Sequence, residues 1–156
     1  MLGVRLICVG KLKERYWRDA VAEYEKRLRP LCRWELVELP EARLPQDPSP
    51  AEIKAALEKE AAAILERAQG TVYPLCIEGK PLDSPALARR LQKAMDHPGA
   101  VTFVIGSSFG LADAVKQAGE GISMSPMTFP HQLARVMLCE QLYRGFQILQ
   151  NSKYHK

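Results

Sequence analysis

The sequence predicts an α/β protein, a parallel sheet with helices on both faces. Strand-like and helix-like segments alternate along the whole chain, the pattern that builds such sheets. Val101–Ile105 is an unbroken apolar run, and strands buried on both faces read this way. The chain has 156 residues, 47% of them apolar. That suits a single domain spanning 1–156, with enough core to fold without disulfides or metal.

Each element follows from local chemistry. Val4–Val9 is β-branched and apolar, and Gly10 closes it as a first strand. Over Glu14–Arg29, Tyr16, Ala20, Tyr24 and Leu28 step by four, a helical period ended by Pro30. Trp34–Leu39 is a second strand. Pro40, Pro45, Pro48 and Pro50 then force a loop. Ala51–Gln69 is rich in Ala, Glu, Lys and Leu, a strong helix stopped by Gly70. Val72–Ile77 is the third strand, turned by Gly79. Ser84 is the expected N-cap of the next helix, with Pro85 at its first position and its end near Asp96. Val101–Ile105 runs into Gly106-Ser107-Ser108-Phe109-Gly110, and a short helix reaches about Ala118. Ile122–Met124 is the last strand and His131–Gln150 the last helix. No internal repeat or low-complexity stretch interrupts this order.

Composition excludes several classes. No apolar run approaches the length of a membrane span. The apolar part of MLGVRLICVGKLK is short, contains Arg5 and lacks a cleavage pattern, so it is expected to be a strand and not a signal. Cys8, Cys32, Cys76 and Cys139 have no metal-like spacing, and reduced thiols in a cytoplasmic protein are expected. His97, His131 and His155 are too scattered for a metal site, so none is expected. The formal net charge of +4 is mild. Lys11–Arg29 carries seven basic residues against four acidic ones and reads as a solvated face. The tail differs: Lys153, His155 and Lys156 flank Tyr154 with no acid among them, which points to phosphate and base contact.

Three strand ends carry loops suited to a ligand. Ligands of open α/β sheets bind at the carboxyl ends of strands, where glycine lets the backbone approach closely. Gly106–Gly110 is one such turn, although it is neither GxGxxG nor a Walker loop. Ile77-Glu78-Gly79-Lys80 is the second. Met124–Pro130 is the third, uncharged and with methionines and an aromatic ring, which suits an adenine-like ring better than a polyphosphate. Each also reads as a plain connection. Between Leu133 and Leu149 only Arg135, Glu140, Gln141, Arg144 and Gln147 are strongly polar. A helix so apolar must be covered on more than one side, by a second copy in a homodimer or by the monomer's own core. Glu140 and Arg144, four apart, suit an intrahelical ion pair.

Ser123–Arg144, SMSPMTFPHQLARVMLCEQLYR, together with the terminal Tyr154-His155-Lys156, resembles the RlmH-type SPOUT methyltransferases. LCIEGKPLDSPALA at 75–88, FVIGSSFGL at 103–111 and the N-terminal LICVGKLKERYW extend the likeness over essentially the whole chain. The resemblance implies a C-terminal trefoil knot, although knots are nearly absent from proteins. It also implies a homodimer with cofactor sites near the interface, and S-adenosyl-L-methionine as cofactor. Its contacts carry over to Leu75, Gly106, Met124, Ser125, Pro126, Met127, Thr128 and Phe129. The activity implied is methylation of N3 of a pseudouridine in 23S rRNA, on the assembled ribosome. His155 is then the candidate base, Tyr154 stacks on the nucleobase, and Arg144 or Lys156 meets negative charge on the uracil oxygens. His131, Lys153 and Lys156 are the candidate RNA contacts. Two positions depart from the family pattern: GSSFGL replaces a loop that usually reads GGPEGL, and Cys76 stands where an aspartate is usual. Another RNA target, or an RNA-binding protein on the ribosome without catalysis, are the alternatives.

Overall fold

Burial along the first strand sets the architecture. In β1 (Gly3–Val9) every residue except Arg5 is buried, so the strand needs cover on both faces and neighbours on both edges. This computed structural model describes residues 1–156. β1 lies between β2 (Arg33–Leu39) and β4 (Ala100–Ile105), with Cys8 opposite Glu38 on one side and Ile105 on the other. β3 (Thr71–Pro81) pairs with β4, and β5 (Ile122–Ser123) pairs with β3. All pairs are parallel, in the order β2-β1-β4-β3-β5.

Side chains of a strand alternate between faces, and this divides the core in two. Val4, Leu6, Cys8, Phe103 and Ile105 point into the larger part, with side chains of α1 (Arg15–Leu28), α3 (Ser84–Asp96) and α5 (His131–Leu149). Ile7, Val9 and Val104 point the other way, towards α2 (Pro50–Arg67) and α4 (Asp113–Lys116). Burying each Val, Leu, Ile or Phe contributes roughly 1.5–3 kcal/mol, so both layers hold the sheet.

The helix starts follow their caps. α2 opens with a full capping box: Glu52 N–H donates to Ser49 Oγ at 3.2 Å and Ser49 N–H donates to Glu52 Oε1 at 3.1 Å. α3 begins one residue earlier than expected. Asp83, not Ser84, is its N-cap and accepts from Ala86 N–H at 2.8 Å. Ser84 instead donates to Gln141 Oε1 at 2.6 Å and ties α3 to α5.

β3 is also longer than its composition suggests. It passes through Gly79, which the sequence marks as a turn, and its pairing with β5 is irregular between Leu75 and Lys80. Gly79 serves a close approach: a Cβ there would stand 2.6 Å from the Gly121 carbonyl carbon. α5 packs between α1 and α3. Its stripe Arg135, Leu138, Cys139, Leu142 and Phe146 is buried, while Val136, Met137 and Ile148 are half-buried.

Candidate functional site at the carboxyl edge of the sheet

The carboxyl ends of β3, β4 and β5 meet around one cavity of about 790 Å³. β4 delivers the Gly106–Gly110 turn, closed by Gly110 N–H donating to Ser107 O at 2.9 Å. Gly106 is required there, because a Cβ would lie 2.3 Å from Gly110 O. β5 delivers the loop Met124–Pro130, which orders itself. Ser123 Oγ donates to Ser125 O at 3.0 Å, and Met127 N–H donates to Ser125 Oγ at 3.0 Å. β3 contributes Leu75–Glu78.

Two of the loops singled out in the sequence, Gly106–Gly110 and Met124–Pro130, therefore converge, whereas the third segment, Ile77–Lys80, is not a loop but part of β3, and only its Ile77 and Glu78 reach the wall. Leu75, Gly106, Met124, Ser125, Met127, Thr128 and Phe129 line the cavity, and so does His131. Pro126 belongs to the same loop but not to the wall. Sequence reasoning missed Lys116, whose Nζ lies 2.6 Å from Glu78 Oε1 on the cavity wall. That hydrogen bond holds the Glu78 carboxyl below its ordinary value and raises the Lys116 ammonium. No local signal marks Lys116; only the packing of α4 on β3 brings it to the site. Burial pushes the Cys76 thiol up, so this wall position carries a neutral group. Phe109 and Met127 are exposed apolar side chains at the same site.

The tail lies elsewhere. None of its residues lines the cavity. The Tyr154 ring packs edge-on against Tyr143, with centroids 4.9 Å apart, and Arg144 sits over its face at 4.8 Å. Tyr154 Oη donates to Glu140 Oε2 at 3.2 Å. Arg144 grips the same carboxylate through Nε and Nη2 at 3.0 Å each, the ion pair expected from the spacing. Arg144 Nη1 stands 3.3 Å from His155 Nδ1. A guanidinium only donates, so this contact assigns the lone pair to Nδ1 and the hydrogen to Nε2. Burial, then the Glu140 charge, raises the Tyr154 phenol above its ordinary value. Lys153 and Lys156 are exposed. A helix rises about 1.5 Å per residue, so Glu140 and Arg144 sit roughly 14 and 20 Å along α5 from the cavity residue His131.

No three of the His, Cys, Asp and Glu side chains gather as metal ligands, and no helix is long and apolar enough to cross a membrane. The site is thus a cavity at the carboxyl edge of a parallel sheet, with apolar and small polar groups, one Glu78–Lys116 ion pair and no phosphate-gripping loop, a place where α/β proteins bind ligands. The chain belongs to the SPOUT methyltransferase family: residues 2–155 match the family described as "Predicted SPOUT methyltransferase".

In fold it is similar to a probable methyltransferase from Bordetella pertussis Tohama I, with a TM-score of 0.54 and 17% identity over 92% of this chain and 93% of that one. TrmJ from Z. mobilis ZM4 matches at a TM-score of 0.54 and 16% identity, over 93% of this chain and 70% of that one. The tRNA (m1G37) methyltransferase from Aquifex aeolicus matches at 0.52 and 12%, over 91% and 69%.

SPOUT methyltransferases generally use S-adenosylmethionine. The residues present fit that group. The uncharged Met124–Phe129 loop suits the adenine, Gly106 lets backbone approach the ligand, and the volume accommodates a nucleoside with a side chain.

Proposed function

We propose that this chain is an RNA methyltransferase of the RlmH type that methylates N3 of a pseudouridine in 23S rRNA on the assembled ribosome. The observation that carries the reading is the convergence of two strand-end loops and the later part of β3 on one nucleoside-sized cavity, in a chain that also has the SPMTFPHQLARV segment and the YHK ending. The trefoil knot and a homodimer belong to the same reading. The solved neighbours include a tRNA methyltransferase, which supports RNA as the substrate class.

When bound, S-adenosylmethionine supplies an electrophilic methyl group. The chain's own contribution is alignment, which supplies much of the rate of an in-line displacement. Met124, Ser125, Met127, Thr128 and Phe129 hold the nucleoside end, with Leu75 and Gly106 opposite. The tail meets the acceptor base. Pseudouridine N3 gains the methyl and releases its proton to solvent, while negative charge grows on the uracil oxygens. His155, the candidate base by residue type, has its Nδ1 lone pair engaged by Arg144, so in this reading it acts instead as a donor, presenting Nε2–H to that charge. Tyr154 stacks on the base, and Lys153, Lys156 and His131 hold phosphate. Because the tail cluster and the cavity occupy different parts of α5, the tail serves the cavity of a second copy.

The test is methyl transfer from labelled S-adenosylmethionine to assembled ribosomes, free subunits and tRNA, with mass spectrometry of the modified base. Transfer to the pseudouridine of intact ribosomes is expected, and deletion of Tyr154–Lys156 is expected to abolish it while cofactor binding persists. Methylation of tRNA alone would assign a different target. Absence of S-adenosylmethionine binding in calorimetry would leave an RNA-binding protein without catalysis.

A further inference from the structure

One basic segment has unspent charge. β1 and β4 run side by side with Cys8 opposite Ile105, so the chain leaves β1 at Gly10 one strand away from the Gly106 turn. Arg135, next to the cavity residue Ala134, donates to Gly10 O at 3.1 Å and fixes that exit. Lys11, Lys13, Arg15 and Arg18 follow at once, all exposed. Glu14 is the one carboxylate among them, and Glu41 is the acid nearest Gly10.

The two ends of this basic stretch differ. At the far end of α1, Lys26 and Arg27 both pair with Glu23, at 3.8 and 2.9 Å, so that end is the solvated face the sequence suggests. At the near end, Lys11 and Lys13 make no ion pair, and Arg15 meets only the exposed Asp19 at 3.5 Å. The loop is nevertheless held in shape. Leu12 is buried between the two lysines, and Arg18 Nη1 donates to Lys13 O at 2.8 Å. Trp17 packs on the core while the adjacent Tyr16 is 65% exposed. The result is an ordered row of cations, Lys11 and Lys13 without an ion pair and Arg15 held only by an exposed carboxylate, with an outward aromatic ring, at the edge where the cavity opens.

Resting on the proposed RNA methylation, we infer that Lys11, Lys13, Arg15 and Tyr16 form the surface that docks the substrate RNA beside the cavity. The cations take backbone phosphates, and Tyr16 stacks on an unpaired base. RNA fits this surface better than lipid, because the loop's one aliphatic side chain, Leu12, is turned inward and Tyr16 alone is too little apolar surface to hold a bilayer. The position beside the cavity favours the molecule whose base must reach the methyl donor.

The test is direct binding to assembled ribosomes by co-sedimentation across a salt series, a measurement that needs no catalysis. The variant Lys11→Gln/Lys13→Gln/Arg15→Gln is compared with Lys54→Gln/Lys59→Gln/Lys93→Gln, which removes equal charge from exposed sites elsewhere. The first is expected to lose about tenfold or more in affinity, and its log–log salt slope to flatten by about 3, near one per lost phosphate contact. The second is expected to track the parent, and S-adenosylmethionine binding and thermal melting to stay unchanged in both. Tyr16→Ala is expected to weaken binding severalfold with the salt slope unaltered. Equal binding by the two triple variants, or a parent that does not bind ribosomes, would overturn the inference. A parent that binds through this surface yet transfers no methyl would overturn the proposed activity alone.

Discussion

Arg135 looks in the sequence like one polar interruption of an apolar helix, yet it is the largest fully buried side chain, at 1% exposure. Its Nη1 lies 2.6 Å from Glu38 Oε2, and its Nη2 reaches Gly10 O, so one residue joins α5 to the carboxyl ends of β1 and β2. Burial pushes the neighbouring Cys8 thiol up to about 12, with Arg135 opposing, so Cys8 stays a neutral packing group at physiological pH. A charge removed from water is costly once its partner is gone. Glu38→Gln, which leaves the guanidinium without its counterion, is expected to lower the unfolding free energy by about 3 kcal/mol in urea denaturation. Asp19→Asn, which breaks the exposed pair with Arg15, is expected to change it by less than about 0.5 kcal/mol. Similar losses in the two variants would mean that Arg135 is not held as described.

Among the elements, those whose burial is uniform or whose caps are local were legible. β4 is apolar but for Thr102 because both its faces are covered, and the body of α2 follows from its composition, although the Ser49–Glu52 capping box starts it at Pro50, one residue before the expected Ala51. The misread boundaries share one physical cause. Gly79 signals a turn, but its role is to let Gly121 come close, a contact 42 positions away that no local pattern encodes. Asp83 and Ser84 are both good N-caps, and the choice follows from Ser84 being drawn to Gln141 on α5. The Gly106–Gly110 and Met124–Pro130 loops were legible because strand ends with glycine or small residues are readable, whereas Ile77–Lys80, which reads as a third loop, is strand. The Glu78–Lys116 pair was not, because α4 reaches β3 only in the folded chain. The Gly106 turn makes a sharp test of these loops. Gly106→Ala places a methyl group against Gly110 O and Leu111, so the turn must open. Calorimetry is expected to show S-adenosylmethionine affinity reduced by about tenfold or more, since misplaced contacts at about 1.4 kcal/mol cost a decade each. Unaltered affinity would remove this turn from the cofactor site.

At the scale of the whole molecule, the two functional regions do not meet within one chain. The cavity takes the first turn of α5, from His131 to Ala134, and the cluster of Glu140, Arg144, Tyr154 and His155 begins about 9 Å further along the same helix, with Arg144 about 15 Å beyond Ala134. Tyr154 and Arg144 are engaged with each other and with Tyr143, so the tail is seated on its own helix and does not trail as a free arm able to bend back. The proposed homodimer would resolve the separation if its two-fold axis sets the cavity of each copy against the tail of the other, and it would give α5 a second cover. The arrangement predicts complementation. A chain lacking Tyr154–Lys156 keeps a sound cavity, and Gly106→Ala keeps a sound tail; with S-adenosylmethionine held far below the dissociation constant of the Gly106→Ala cavity, each alone is expected to be inactive. Random re-pairing of equal amounts makes half of the dimers mixed, and each mixed dimer holds one intact pairing of cavity and tail, so about a quarter of parental methyl transfer is expected. Methylation assays after mixing and subunit exchange read this directly, with sedimentation to establish the dimer. A mixture as inactive as its components, in a preparation shown to have exchanged, would mean that tail and cavity do not cooperate across the two-fold axis.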